Sequence, residues 1–299
     1  MSLRFARVAI AIPMLAAALF LAAQDHSAPM ELRHNLPFVQ VMVNGKGPFT
    51  FTIDTGTGGQ AAVTPDLIRQ LSLQVTGEEE VGDPSGRNSH KVPKVRVESL
   101  KVAGLEFKNV EAIQFQPSPR EGQVDGILGF ILFRDYLFTL DYPGKQLTLA
   151  TGSLKPDGDN LVIPFTMPDN VPVIELSVGG HTVEADVDSR GMGLSIPEKS
   201  AAGLKFVSDP IVIGRGRTVS NEFEIKGAQL AGDIKVGGYT FPQPFVALNP
   251  LFPVGNFGAI ALQHFAVTFD QKSKLMRLVS SEKSIVIPAR QPRAAIQAK

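Results

Sequence analysis

Two aspartates stand at corresponding points of two similar stretches of this sequence. Asp54 ends an apolar segment and precedes Thr55, and Asp188 ends a second apolar segment and precedes Ser189. Two carboxylates that a fold holds close together tend to keep one proton between them, because both cannot easily be ionised side by side. Such a pair offers both an acid and a base, so these aspartates are the first candidates for chemistry in the chain.

The segments that carry the aspartates belong to a longer repeat. Four segments of the first half match four of the second half in the same order: 37–45 with 172–180, 51–56 with 185–190, 100–107 with 234–241, and 138–141 with 267–270. Their short apolar runs, separated by the 28 glycines and 22 prolines of the chain, are typical of strands joined by turns. The sequence therefore predicts an all-β fold of two homologous lobes, residues 30–150 and 160–280, with a tail over 281–299.

The first aspartate turn carries a resemblance to a known family. Residues 54–57 (DTGT), at the end of an apolar strand, resemble the active-site turn of aspartic peptidases of the pepsin and retropepsin type. Residues 125–129 (DGILG) are similar to the hydrophobic-hydrophobic-glycine element that lies beside this turn in the family. The duplication resembles the two-lobed members. The resemblance spans residues 35–280 and implies two pseudo-symmetric β-barrel lobes with a cleft between them.

The resemblance also implies what individual residues do. Asp54 and Asp188, one from each lobe, would hold the water that attacks a peptide bond, as the aspartate pair of aspartic proteases does. Thr55 and Ser189 would lock the two turns together through hydroxyl hydrogen bonds. The substrate would be a peptide or protein, and no cofactor is implied.

Smaller features of the family pattern are expected around the aspartates. Gly56 would permit a tight turn and a close approach of the substrate backbone, and Thr57 would donate a hydrogen bond to Asp54. Residues 81–89 and 213–218 lie where the family has flaps, although ordinary hairpin loops are an equal alternative. In both repeats we also expect a short helix begun by a proline, at Pro65 and Pro197.

The second repeat departs from the family pattern. Arg190 replaces the turn glycine, and its guanidinium would favour two ionised carboxylates over one shared proton. Gly191 stands in the place of Thr57, and residues 258–263 (GAIALQ) lack a glycine after their apolar pair. Three interpretations remain open: an active aspartic endopeptidase that uses Asp188, an inactive module that binds peptides or proteins, and pairing of two first lobes from separate chains.

Residues 1–23 have the pattern of a cleavable signal peptide. Arg4 and Arg7 precede an apolar run over 8–23, and two alanines stand before Gln24. An uncleaved anchor is the alternative, and no later segment is apolar enough to span a membrane. The sequence therefore predicts export to a periplasm or to the medium.

Composition excludes several other functions. The chain has 29 basic and 29 acidic residues, so it carries no excess of positive charge that would attract nucleic acid. It has no cysteine, which excludes thiol nucleophiles and cysteine-bound metals, and its five histidines show no metal-binding spacing. We expect a monomer whose partner is its substrate.

Overall fold

The structure is a computed structural model that describes residues 26–82, 89–117, 122–217 and 222–287. The predicted signal peptide over 1–23 lies outside the described residues. The strands of the first repeat are β1 (His26–Pro29), β2 (Glu31–Arg33), β3 (Leu36–Val43), β4 (Lys46–Asp54), β5 (Ala61–Val63), β6 (Gln74–Gly82), β7 (Ser89–Val102), β8 (Leu105–Gln114), β9 (Gly126–Gly129), β10 (Leu137–Asp141) and β11 (Gln146–Ala150).

The second repeat contributes a similar set of strands: β12 (Val162–Pro164), β13 (Val173–Val178), β14 (His181–Asp188), β15 (Leu194–Pro197), β16 (Ile211–Arg217), β17 (Glu222–Gln229), β18 (Ile234–Val236), β19 (Tyr239–Phe241), β20 (Phe245–Asn249), β21 (Gly255–Gly258), β22 (Ala266–Asp270) and β23 (Leu275–Val279). The described helices are short: α1 (Pro65–Leu71), α2 (Ala259–Leu262), and two 3-10 helices, Phe130–Phe133 and Pro168–Asn170. The predicted all-β class is confirmed. None of the helices within the described ranges is long and apolar enough to cross a membrane.

The strands form three sheets, and one of them is shared by the two repeats. The first repeat has an eight-stranded sheet in the order β2-β3-β4-β9-β5-β8-β7-β6, and the second has a nine-stranded sheet in the order β16-β17-β20-β15-β21-β14-β13-β18-β19. The third sheet, β1-β11-β10-β22-β23-β12, joins the repeats through the antiparallel pair β10 and β22. The two lobes are thus fastened together by backbone hydrogen bonds.

An aromatic cluster packs where the shared sheet meets the first lobe. The rings of Phe133 and Phe138 stack with centroids 4.4 Å apart, and Phe138 also stacks on Phe269 at 5.7 Å. Phe130 meets Phe269 edge to face at 5.1 Å. Phe269 comes from the second repeat and the other rings come from the first, so these contacts join the two lobes. Such aromatic pairs stabilise the fold by more than their buried area alone would give.

The two aspartates occupy equivalent places in their sheets. In the first lobe β4 runs parallel to β9, with Asp54 opposite Gly129. In the second lobe β14 runs parallel to β21, with Asp188 opposite Gly258. The counterpart of residues 126–129 is therefore Gly255–Gly258, which keeps its final glycine. The prediction that residues 258–263 are the counterpart of this element and have lost its final glycine was wrong. The register of the strands aligns β21 with β9, and the residues of the two strands differ too much for this alignment to be found from sequence.

The expected helix pair forms only in the first lobe. Thr64 caps α1, since its Oγ1 accepts a hydrogen bond from the N–H of Leu67 at 3.2 Å, and Pro65 is the first helical residue. In the second lobe Pro197 instead ends β15, and successive turns follow it. Ile196 stands before this proline and has no side-chain oxygen that could cap a helix.

The two predicted flaps and the predicted C-terminal tail are described only in part. The predicted flaps fall on the hairpins β6–β7 and β16–β17, but residues 83–88 and 218–221 lie outside the described residues. Of the predicted tail, residues 281–287 lie on the second lobe. The N–H of Ile285 donates to the carbonyl of Thr240 at 2.8 Å, and the side chain of Ile285 is completely buried.

Candidate active site

A glycine lets the neighbouring strand pass beneath each aspartate turn. A Cβ at residue 129 would lie 2.0 Å from the carbonyl oxygen of Gly59, and the N–H of Gly129 donates to Gln60 at 2.9 Å. In the second lobe a Cβ at residue 258 would lie 2.2 Å from the carbonyl oxygen of Gly191. Since no side chain fits at either point, the two glycines allow the turns to rest directly on β9 and β21.

Reciprocal hydrogen bonds join the two turns. The N–H of Ser189 donates to Thr55 Oγ1 at 2.9 Å, and the N–H of Thr55 donates to Ser189 Oγ at 2.9 Å. Each hydroxyl then donates across the interface, Thr55 Oγ1 to the carbonyl of Val187 at 2.6 Å and Ser189 Oγ to the carbonyl of Ile53 at 2.8 Å. Both side chains are completely buried. The contact expected between Thr55 and Ser189 is present, and the first-lobe turn finds its partner in the same chain.

The carboxylate of Asp188 lies directly against the first-lobe turn. A Cβ at residue 56 would be 2.6 Å from Asp188 Cγ, so only glycine leaves room for this side chain. Gly56 was expected to permit the tight turn and the approach of the substrate backbone; in the structure it makes room for the aspartate of the other lobe. Its N–H also donates to Asp54 Oδ1 at 2.9 Å. The interlocked turns therefore bring the two carboxylates to one place.

The two carboxylates have different hydrogen-bond partners. Asp188 Oδ1 accepts from the N–H groups of Arg190, at 2.9 Å, and Gly191, at 2.7 Å. Asp188 Oδ2 accepts from the side-chain amide of Asn256 at 3.0 Å. Asp54 has the N–H of Gly56 on Oδ1 and the guanidinium of Arg190 at 3.6 Å from Oδ2.

Burial and charge make Asp54 hard to ionise. Its residue exposure is only 8%. Loss of solvation and the negative charge of Asp188 raise its pKa to about 7, against the smaller opposing effect of the Arg190 guanidinium. Burial and the charge of Asp188 also raise the pKa of Asp186 to about 6. The Arg190 guanidinium lowers the pKa of Asp54, which is the direction expected of it, but loss of solvation and the charge of Asp188 have larger, opposite effects.

Arg190 nevertheless lies inside the site. Its side chain is 25% exposed, and its guanidinium carbon is 6.0 Å from the ring centre of Phe115. Arg190 follows Ser189 as Gly56 follows Thr55 in the first lobe, and its Nη1 lies 3.6 Å from Asp54 Oδ2.

Thr57 does not act as expected. Within the described ranges its hydroxyl makes no hydrogen bond to Asp54; its carbonyl accepts from the N–H of Phe130 at 3.4 Å. Its methyl group faces Gly129, 3.1 Å from where a Cβ would be. The methyl group of Thr57 is thus directed towards the strand beneath the turn.

Asn256 is the site residue that sequence reasoning missed. It occupies the second position of β21, where β9 has Ile127. The signal available was a polar residue in an otherwise apolar strand, but it could be read only after Gly255–Gly258 had been aligned with β9. No group of three or more potential metal ligands occurs in the part of the chain that the structure describes.

Comparison with known proteins supports the resemblance. A family model described as aspartyl protease matches residues 39–131, which include Asp54 and β9. A retropepsin-like aspartic protease from Rickettsia conorii is 21% identical, with 44% of this chain and 92% of that chain covered and a TM-score of 0.31. Comparison with curated proteins finds no match. The part of the chain that is similar to aspartyl proteases is therefore the greater part of the first lobe.

Loss of the Thr55 hydroxyl should destabilise the protein strongly. Thr55→Val keeps the shape of the side chain but leaves the carbonyl of Val187 and the N–H of Ser189 buried without this partner. We expect the free energy of unfolding to fall by about 2–4 kcal/mol, measured by urea denaturation. Thr50→Val, on the same strand, loses only an exposed contact with Gln40 and should change it by less than about 0.5 kcal/mol. Equal effects of the two substitutions would contradict the role of the interlock.

The raised pKa of Asp54 predicts a specific pH dependence of stability. The folded-state pKa of Asp54, about 7, exceeds its unfolded value. The contribution of protonated Asp54 to the free energy of unfolding is therefore complete below about pH 4 and is lost as the pH rises to 7. Asp54→Asn should remove a slope of at most about 1.4 kcal/mol per pH unit from the free energy of unfolding between pH 4 and 7. Asp66→Asn, at an exposed position, is the control. An unchanged slope in Asp54→Asn would refute the assignment.

Proposed function

We propose that this protein is an exported aspartic-type endopeptidase that hydrolyses peptide bonds with a water activated between Asp54 and Asp188. The observation that carries the proposal is the reciprocal pairing of Thr55 with Ser189, which brings one aspartate from each lobe to the same place. The signal-like segment over 1–23 supports export.

The chemistry needs one carboxyl with a proton and one without. The ionised carboxylate removes a proton from the water as it attacks the carbonyl carbon, and the protonated carboxyl donates a hydrogen bond to the carbonyl oxygen. When the carbon–nitrogen bond breaks, the leaving amine takes up a proton from the pair. Asp54, with its pKa near 7 beside the charge of Asp188, is suited to hold a proton over the acidic range in which this reaction would run.

A binding module without catalysis is the second candidate, and one observation favours it. The Arg190 guanidinium lies 3.6 Å from Asp54 Oδ2, so it competes with a water or a substrate carbonyl for this oxygen. In that case the site would hold a peptide or protein segment without cleaving it. Asp54→Asn would then leave binding unchanged, whereas it would abolish catalysis by the peptidase.

Cleavage of a mixed peptide library tests the proposal directly. The chain from Gln24 onward should cleave peptides between about pH 3 and pH 7, with activity falling as Asp54 loses its proton near pH 7. Asp54→Asn and Asp188→Asn should each reduce the rate at least about a thousandfold, since each removes one member of the acid–base pair. Cleavage products are measured by mass spectrometry. Absence of cleavage by a folded protein at every pH would support the binding module instead.

Removal of the Arg190 side chain should widen the pH range of activity. Arg190 lowers the pKa of Asp54, so in Arg190→Gly this carboxyl should keep its proton to higher pH. The alkaline limb of the rate profile should move upward, with activity at the optimum unchanged or increased. Arg134→Gly, which changes the net charge equally at an exposed position, serves as the matched control. Loss of activity at all pH values in Arg190→Gly would mean that the guanidinium assists the reaction.

A further inference from the structure

We propose that Asn256 is a positioning residue that holds Asp188 as the ionised member of the pair and thereby leaves the proton on Asp54. The catalytic meaning of this assignment rests on the proposed peptidase function. The assignment of charge itself concerns the folded protein and can be tested without a substrate.

Both oxygens of Asp188 are engaged by hydrogen-bond donors. Oδ1 accepts from two backbone N–H groups, those of Arg190 and Gly191, and a backbone N–H cannot become an acceptor. Oδ2 accepts from Asn256 Nδ2 at 3.0 Å. Among the described residues Asn256 Oδ1 is buried without a hydrogen-bond partner, so the amide interacts with the site through its N–H end. Three donors on one carboxylate favour its charged form.

Among the described residues of the first lobe, no side chain donates to Asp54 as Asn256 donates to Asp188. Ile127 occupies the position of Asn256, since it pairs with Thr52 in the first lobe as Asn256 pairs with Asp186 in the second. Ile127 is apolar and only 5% exposed. The two strands have the same register, so at this position the two lobes differ by a single side chain.

Two glycines make room for the amide. A Cβ at residue 191 would lie 2.5 Å from Asn256 Nδ2 and 2.5 Å from Asp188 Oδ2. A Cβ at residue 258 would lie 2.3 Å from Asn256 Oδ1. Gly191 stands where the first lobe has Thr57 and has no hydroxyl. In the structure this glycine opens the space through which Asn256 reaches Asp188.

The other charged and titratable groups around Asp188 cannot replace the amide. Asp186, on the same strand, carries a negative charge when ionised and opposes the charge of Asp188, although its raised pKa keeps it neutral below about pH 6. Arg190 directs its guanidinium to Asp54. Burial and the charges of both aspartates raise the pKa of Tyr142, and among the described residues its buried hydroxyl has no hydrogen-bond partner. The backbone N–H groups are fixed by the turn, which leaves Asn256 as the side-chain donor to Asp188.

Carbon-13 NMR of the carboxyl groups tests the assignment in the chain from Gln24 onward. The Cγ signals of Asp54, Asp186 and Asp188, assigned with single Asp→Asn variants, are followed between pH 2.5 and pH 8. In the wild-type protein Asp188 should stay ionised to lower pH than Asp54. The opposite order in the wild-type protein would overturn the proposal without any change at residue 256.

Substitution of Asn256 then tests its role. Asn256→Leu keeps the branching of the side chain at Cγ and has no donor, and it should raise the pH at which Asp188 takes up its proton by about one unit or more. The acid limb of peptide cleavage should shift by the same amount. Ile127→Leu, the matched change in the first lobe, should shift neither. Asn256→Ala removes the donor without adding volume or charge, so it should shift the Asp188 signal in the same direction and keeps the test available if the leucine variant does not fold.

The outcomes separate this inference from the function on which it rests. If the protein cleaves peptides and the Asp188 signal is unchanged in both variants, Asn256 has no positioning role and the peptidase proposal stands. If no peptide is cleaved but the signal shifts as expected, Asn256 sets the charge of the pair and the peptidase proposal fails.

Discussion

The pairing of Thr55 with Ser189 is the interaction on which the rest of the site depends. Its four hydrogen bonds are buried and cross from one lobe to the other between residues about 134 positions apart. A buried hydrogen bond adds only modestly to the free energy of unfolding, but removing one partner is costly because the other is left buried without a hydrogen bond. The interlock therefore specifies one relative placement of the two turns, and the positions of Asp54 and Asp188 follow from it.

The shared sheet and the aromatic cluster also hold the two lobes in this placement. Strands β10 and β22 join the repeats by backbone hydrogen bonds, and Phe269 packs against phenylalanines of the first repeat. Above them the pseudo-symmetry is incomplete. The first lobe surrounds its aspartate with Gly56 and Ile127, whereas the second has Arg190 and Asn256 at the same places. Similar backbones thus present two carboxylates in different electrostatic surroundings, which a reaction that needs one acid and one base can use.

Much of the fold could be predicted because the repeat is visible in apolar patterns that depend on local sequence. Alternating runs, turns after each strand and the DTGT motif led to the all-β class, and the contact between Thr55 and Ser189 followed from the resemblance. Two predictions about elements of the second repeat failed for reasons that local patterns do not contain. The second helix did not form because Ile196 cannot cap it as Thr64 caps α1. Residues 258–263 were aligned with the wrong part of the first repeat, and only the strand pairing shows that Gly255–Gly258 is the counterpart of β9.

By itself, the sequence determined that the chain has two β lobes with an aspartate at the end of an equivalent strand in each. Strand periodicity and turn residues act over a few neighbouring positions, so they can be read along the chain. Only the tertiary structure decided that Gly56 makes room for Asp188, that Arg190 points to Asp54, and that Asn256 donates to Asp188. These contacts join residues that are far apart in the sequence. Their effect on a proton depends on distances and burial that exist only after the lobes have packed.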